Sequence, residues 1–318
     1  MGWDSWSNGR IIALFVLAFL LLIAFAIVQV SLPEQAILPP RVFLQRSIAS
    51  GFWTSLCTGA HQTIFLYYLP IWFQAIQNKS AVNSGIDLLP MVLVIAAVSI
   101  ANGQLVSLIG YYTPSLILGV CLAAIGSGML TTLGIHTSEG KWIGYQILYG
   151  AGLGFASQAP NMAAQTVLPE QDVAIGASLM FLGQTLFGAV FVSVGENVFN
   201  DQLTKRLAKI PGIGIMPDQS TGATDFLDGV DIEYRTAALE AYNVSLRVVF
   251  QVALCMACLG APGALVMEWR TVKKPPPKGH GSKQAAEKDR GQGVLNEKGA
   301  SEANAGDEEG MAVTSADK

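Results

Sequence analysis

The chain has 318 residues, a net charge of -4, and 51% hydrophobic against 13% charged side chains, where a soluble domain carries about 25% charged. That balance excludes nucleic acid as a partner, because phosphate neutralisation needs a concentrated basic surface, and it points to a lipid bilayer. Cys57, Cys121, Cys255 and Cys258 all fall inside apolar runs and are expected to pack rather than bind metal or cycle redox states; no cofactor, metal site or enzymatic chemistry is expected.

A hydrocarbon core about 30 Å thick takes roughly 20 residues of helix, and backbone groups facing lipid must be paired within their own segment. Runs of that order predict an all-α integral membrane protein of about seven transmembrane helices. Residues 1–10 read as an extracellular start. The first span, 11–30, is about twice as long as a signal-peptide core and has no basic region before it.

The second span, 48–73, places Thr54, Thr58, His61, Gln62, Phe65, Tyr68 and Trp72 at helical spacing. Hydrogen-bonding groups set among aromatic area suit a wall for a drug-sized ligand. His61 is also a candidate for proton exchange near neutral pH; the alternative is a bonded core histidine. Asn78-Lys79-Ser80 closes this span and matches a glycosylation acceptor, with Asn78 the candidate.

The third span, 86–108, is expected to hold Asp87 in its first turn, at the positive end of the helix dipole. The fourth, 113–133, follows the turn Gly110-Tyr111-Tyr112. In the fifth, 142–167, Gly150, Gly154, Gln158, Asn161 and Gln165 form one stripe, and Pro160 is expected to kink the helix beside the amides. Gly150, Gly152 and Gly154 have the lettering of a phosphate loop, but no strand precedes them. The amides read either as a wall of a substrate passage or as ties between helices.

The sixth span, 173–199, adds Gln184 as a third candidate wall and Glu196 as a carboxylate for proton exchange or a solvated interfacial group. An outer loop, 200–247, is expected to carry a short surface helix around 237–242, and Asn243-Val244-Ser245 is a second acceptor sequence too near the membrane to serve well. The last span is 248–267. The tail, 270–318, opens with Pro275-Pro276-Pro277 and has almost no bulky apolar residue, so it is expected to be disordered.

Arg41 and Arg46 in the first connection, with Arg270, Lys273, Lys274 and Lys278 after the last span, assign that face to the cytoplasm and the amino terminus to the outside, in the plasma membrane. His61, His136 and His280 lie in a span, a loop and the tail, so they assemble no metal site. A seven-helix receptor is the rival from another class. It is disfavoured because the third span lacks an acidic-Arg-aromatic triplet at its inner end and the outer loops lack paired cysteines.

Pro39-Pro40-Arg41, the run Tyr67-Tyr68-Leu69-Pro70-Ile71-Trp72-Phe73-Gln74, the run Ser84-Gly85-Ile86-Asp87-Leu88-Leu89-Pro90, the stripe from Gly150 to Gln165, and Ala241-Tyr242-Asn243 together resemble the fungal fourteen-helix drug:proton antiporters of the major facilitator superfamily. The likeness runs from Ser7 to Trp269. It implies that these spans are the eighth to fourteenth helices and that the intact protein exports a lipophilic drug, toxin or secondary metabolite by proton exchange. Gly103, Gly110, Tyr111 and Tyr112 look like a worn copy of the superfamily's loop motif, whose charged places are held here by Ser107 and the tyrosines. The family's amino-terminal half has no counterpart in the chain, which is expected to be truncated and to supply one wall of a two-walled cavity. Transport would then need a second copy or a complementing half, and a non-transporting remnant is the other reading.

Overall fold

The computed structural model describes residues 40–210 and 232–272, together with residues 16, 17, 20, 23, 24 and 27. Those six are helical and exposed; the rest of the expected first span, the amino-terminal segment, and the tail from 273 lie outside the described residues. Every regular element among the described residues is a helix: α1 Pro40–Phe43, α2 Arg46–Ala75, α3 Ala81–Asp87, α4 Leu89–Ile109, α5 Thr113–Leu130, α6 Glu139–Ala156, α7 Ala159–Val167, α8 Glu170–Leu207 and α9 Ile232–Val266.

Four stretches are long and apolar enough to cross a membrane by length and composition, namely 81–109, α5, α8 and 234–266. Their outer faces are greasy: Ile100, Leu108 and Phe181 are 68%, 75% and 71% exposed, which a water-soluble monomer rarely tolerates as contiguous surface and a bilayer requires. Helix α2 is 30 residues long but more polar, because Thr54, Ser55, Thr58 and His61 are buried within it.

In lipid the hydrophobic effect does not drive helices together, so close packing and interhelical hydrogen bonds must. Helix α2 sits centrally, against α8, α9 and α7, while α6 joins α4 to α5. Phe65, Tyr68, Trp72, Phe73, Trp142, Tyr149 and Phe250 fill the space between α2, α6 and α9. Polar ties cross the same interfaces. Trp72 Nε1 donates to Asn243 Oδ1 at 2.9 Å, Asn102 Nδ2 to the Phe155 carbonyl at 3.1 Å, and Arg247 Nε to the Thr131 carbonyl at 2.7 Å.

The structure departs from the expected boundaries in five places. The fifth span is two helices, broken at Ser157-Gln158: Pro160 stands second in α7, has no N–H to return to the Ala156 carbonyl, and ends the hydrogen-bond ladder there. The third span is entered by the separate helix α3, whose cap is Ser80, with its hydroxyl accepting the Asn83 N–H at 3.2 Å. The expected loop 200–247 is helical at both ends, as α8 runs to Leu207 and α9 starts at Ile232. The proposed surface helix at 237–242 is part of α9, because Asn243-Val244-Ser245 contains no glycine or proline to stop it. Finally, Asp87 is the last residue of α3 and not in the first turn of the following helix.

Gly110 caps α4 at φ 86° in the left-handed region. Its carbonyl accepts the Val272 N–H at 2.8 Å, and the Tyr112 and Thr113 hydroxyls both donate to the Glu268 carbonyl at 3.1 Å. The worn loop motif thus ties the end of α4 to the segment after α9 through backbone contacts, without charges.

Candidate functional site

Helices α2 and α8 bring four of the expected residues together, in two pairs. Gly59 lets α8 approach so closely that an added Cβ would lie 2.0 Å from the Gln184 carbonyl oxygen. That approach positions Gln184 Nε2 to donate to Gln62 Oε1 at 2.9 Å, both side chains being half-buried. Farther along the same interface the buried Tyr68 hydroxyl donates to Glu196 Oε2 at 3.2 Å and lies 3.3 Å from the Val192 carbonyl. Glu196 Oε1 accepts from Asn200 Nδ2 at 2.9 Å. Glu196 is therefore neither buried and bare nor fully solvated: two donors hold it on a half-exposed helix face.

His61 points the other way, towards α6. Its Nδ1 is 2.7 Å from the Tyr149 hydroxyl, and both rings are buried. Phe65 packs on Tyr149 at a centroid distance of 4.7 Å. This is the geometry of a bonded core histidine, held by a tyrosine that the sequence reading missed. Gln146 and Tyr149, three residues apart in an apolar helix, were the available signal. Thr58 is buried beside His61 on α2.

The stripe from Gly150 to Gln165 is not one surface. Gly150 and Gly154 pack on α4, where added Cβ atoms would lie 2.8 Å from the Met91 carbonyl oxygen and 2.7 Å from Val98 Cβ; Gly152 packs on α5, 2.2 Å from the Ala123 nitrogen. The phosphate-loop lettering is a set of contacts on two sides of a packed helix. Gln158 is exposed in the break, and beyond it Gln165 is exposed and Asn161 half-exposed on α7, which packs against α2 and α8.

A shallow groove of about 620 Å³ runs along α8 past Ile175, Ser178, Leu179, Phe181, Leu182 and Thr185. Its lining comes from a single helix and includes none of the amides above, so it is surface relief rather than an enclosed binding cavity. Among the described residues no group of His, Cys, Asp and Glu is placed to hold a metal ion.

Asn78 is exposed, at φ 51°, in the turn after α2, a left-handed conformation that asparagine accepts better than most side chains. Asn243 is buried, with its Nδ2 directed to the Leu133 carbonyl at 3.4 Å.

Long apolar helices joined by buried polar ties, with amides and a tyrosine-held carboxylate on their faces, are the features of a polytopic helical membrane protein. No family model matches the chain. It is 45% identical to an MFS-type transporter of Claviceps purpurea over 276 residues, 86% of this chain and 48% of the relative. It is 45% identical to the MFS-type transporter VdtG of Byssochlamys spectabilis, with 85% and 48% covered, and 43% identical to the efflux pump aflT of Aspergillus parasiticus, with 85% and 53% covered. The chain is thus similar along about 85% of its length to transporters of the major facilitator superfamily, and it spans about half the length of the curated relatives it matches.

Proposed function

We propose that this chain forms the carboxyl-terminal half of a fungal exporter of hydrophobic small molecules, of the fourteen-helix type. The observation that carries the reading is the match to named efflux pumps along nearly the whole chain. In the superfamily, substrate sits between two halves that rock about it. Helices α2, α7 and α8 supply one wall: Gln158 from the break before α7, Asn161 and Gln165 from α7, and Thr58, Gln62, Tyr68 and Gln184 from α2 and α8. For proton exchange we favour Glu196 over His61, because Glu196 is reachable from the helix face, where the Tyr68 and Asn200 side chains hold it, whereas His61 is enclosed with Tyr149. The orientation places Asn78 outside and the tail in the cytoplasm of the plasma membrane.

The reading calls for a facing wall, which a second copy or a complementing half would supply. The test is retention of a lipophilic dye by cells making this chain alone, or with the first six or seven helices of a relative. Lower retention in the paired cells, lost in Gln158→Ala with Gln165→Ala, is the expected result. Unchanged retention in every arm, with membrane insertion confirmed, overturns the export reading.

A further inference from the structure

One polar cluster plays no part in the wall described above. It lies at the end of the bundle where α2 stops and α6 begins. Lys79 Nζ stands 3.9 Å from Asp87 Oδ2 and 3.7 Å from Glu139 Oε1, so it is paired electrostatically with two carboxylates and hydrogen-bonded to neither. Gln146, fully buried on α6, reaches across with its Nε2 to donate to the Asp87 carbonyl at 3.0 Å. That bond leaves two acceptors stranded: Gln146 Oε1 and Asp87 Oδ2 are both buried and have no hydrogen-bond partner among the described residues. The unsatisfied atoms belong to groups already in contact.

A buried acceptor without a donor costs about 1–3 kcal/mol, and native structures rarely keep two together without a reason. The charge balance leans the same way, since Asp87 and Glu139 carry two negative charges against the one positive charge of Lys79. The cluster lacks one positive charge and one donor, and a single proton supplies both. Helix α4 contributes no titratable side chain, α3 only Asp87, and the facing end of α2 none beyond Tyr67 and Tyr68. Helix α6 carries Lys141, which is exposed, and Tyr145 besides Glu139, and the contacts at Asp87 itself come from Lys79 and Gln146.

We propose that Asp87 and Gln146 form a proton-binding site distinct from Glu196. Hydronium gives its proton to the Asp87 carboxylate, releasing water. The new carboxylic O–H donates to Gln146 Oε1, and Lys79 turns fully to Glu139. Gln146 holds the acid proton in place, while Lys79 holds the ionised form.

The test is infrared difference spectroscopy of the purified chain in lipid nanodiscs as the pH is lowered, with circular dichroism to confirm that each variant is folded. Among the carboxylic-acid carbonyl bands that grow, one is expected to be absent in Asp87→Asn and to move in frequency in Gln146→Leu. Glu139→Gln should leave its frequency in place. If Asp87→Asn does not fold, the band shift in Gln146→Leu decides alone. A spectrum with no acid band, a band lost with Glu139→Gln instead of Asp87→Asn, or a band indifferent to Gln146→Leu overturns the proposal. No transport is measured, so failure here leaves the export reading untouched.

Discussion

Replacing Gly59 with alanine tests whether the α2–α8 approach builds the candidate wall. The new methyl would lie 2.0 Å from the Gln184 carbonyl oxygen, 2.6 Å from its carbonyl carbon and 2.7 Å from its Cα, where real Cβ atoms essentially never come within 3.0 Å. All three are backbone atoms inside a 38-residue helix, so no side-chain rotation relieves the clash and α8 must retreat locally by about 1 Å. Overpacking of this kind costs about 1–3 kcal/mol, and a backbone obstacle sets the upper end. The same retreat stretches the 2.9 Å Gln184–Gln62 bond, for which interhelical ties in a bilayer give about 0.6–2 kcal/mol. The expected loss is about 3–4 kcal/mol, read by reversible unfolding in mixed micelles. Gly103→Ala on α4 is the control: nothing lies within 4 Å of its Cβ position, and helix propensity favours alanine by about 1 kcal/mol. If Gly59→Ala unfolds within about 1 kcal/mol of the parent, inside the range of a single propensity change, the reasoning fails.

Asn243→Leu strands the buried Trp72 N–H and is expected to cost about 2 kcal/mol, part of it recovered in the double variant with Trp72→Phe; equal losses in single and double variants would count against the tie. Asp172→Ala breaks the 3.0 Å pair with Arg41, and because the arginine side chain is 66% exposed the expected loss is about 1 kcal/mol, shrinking with added salt in a thermal melt. In a fungal host, Asn78→Gln should abolish a glycosidase-sensitive mobility shift that Asn243→Gln retains. A shift that survives Asn78→Gln removes the glycosylation proposal.

Apolar runs made the helices legible, because a bilayer imposes one length and one hydrogen-bonding solution on each of them. Where a boundary was set by something other than lipid thickness, the same runs misled. Helix α9 begins 16 residues before the expected span at 248, since polar sequence without a breaker continues a helix as readily as apolar sequence does. The pairing of Gln62 with Gln184 and of Tyr68 with Glu196 could not be read from one strand of text. Helical spacing sorts residues onto faces but does not say which faces meet. The glycines show the limit most plainly: Gly150, Gly152 and Gly154 look alike in sequence, yet Gly152 serves α5 and the other two serve α4.

The pairing pattern separates the amides by role more sharply than their shared chemistry would. In lipid a polar side chain that has found a partner holds its helices in one register, and giving that partner up to a ligand costs the tie. Gln62 and Gln184 satisfy one another, and His61 is occupied by Tyr149, so a substrate gains from them only by breaking what holds α2 against α8 and α6. Gln158, Asn161 and Gln165 make no side-chain hydrogen bond among the described residues and sit at and just past the break that detaches α7 from α6. A ligand meeting those three amides displaces water or lipid and not a structural bond. For the proposed wall this puts the first substitutions at Gln158, Asn161 and Gln165, where losing an amide breaks no tie between helices, and keeps Gln62 and Gln184 as the controls whose loss loosens the helices themselves.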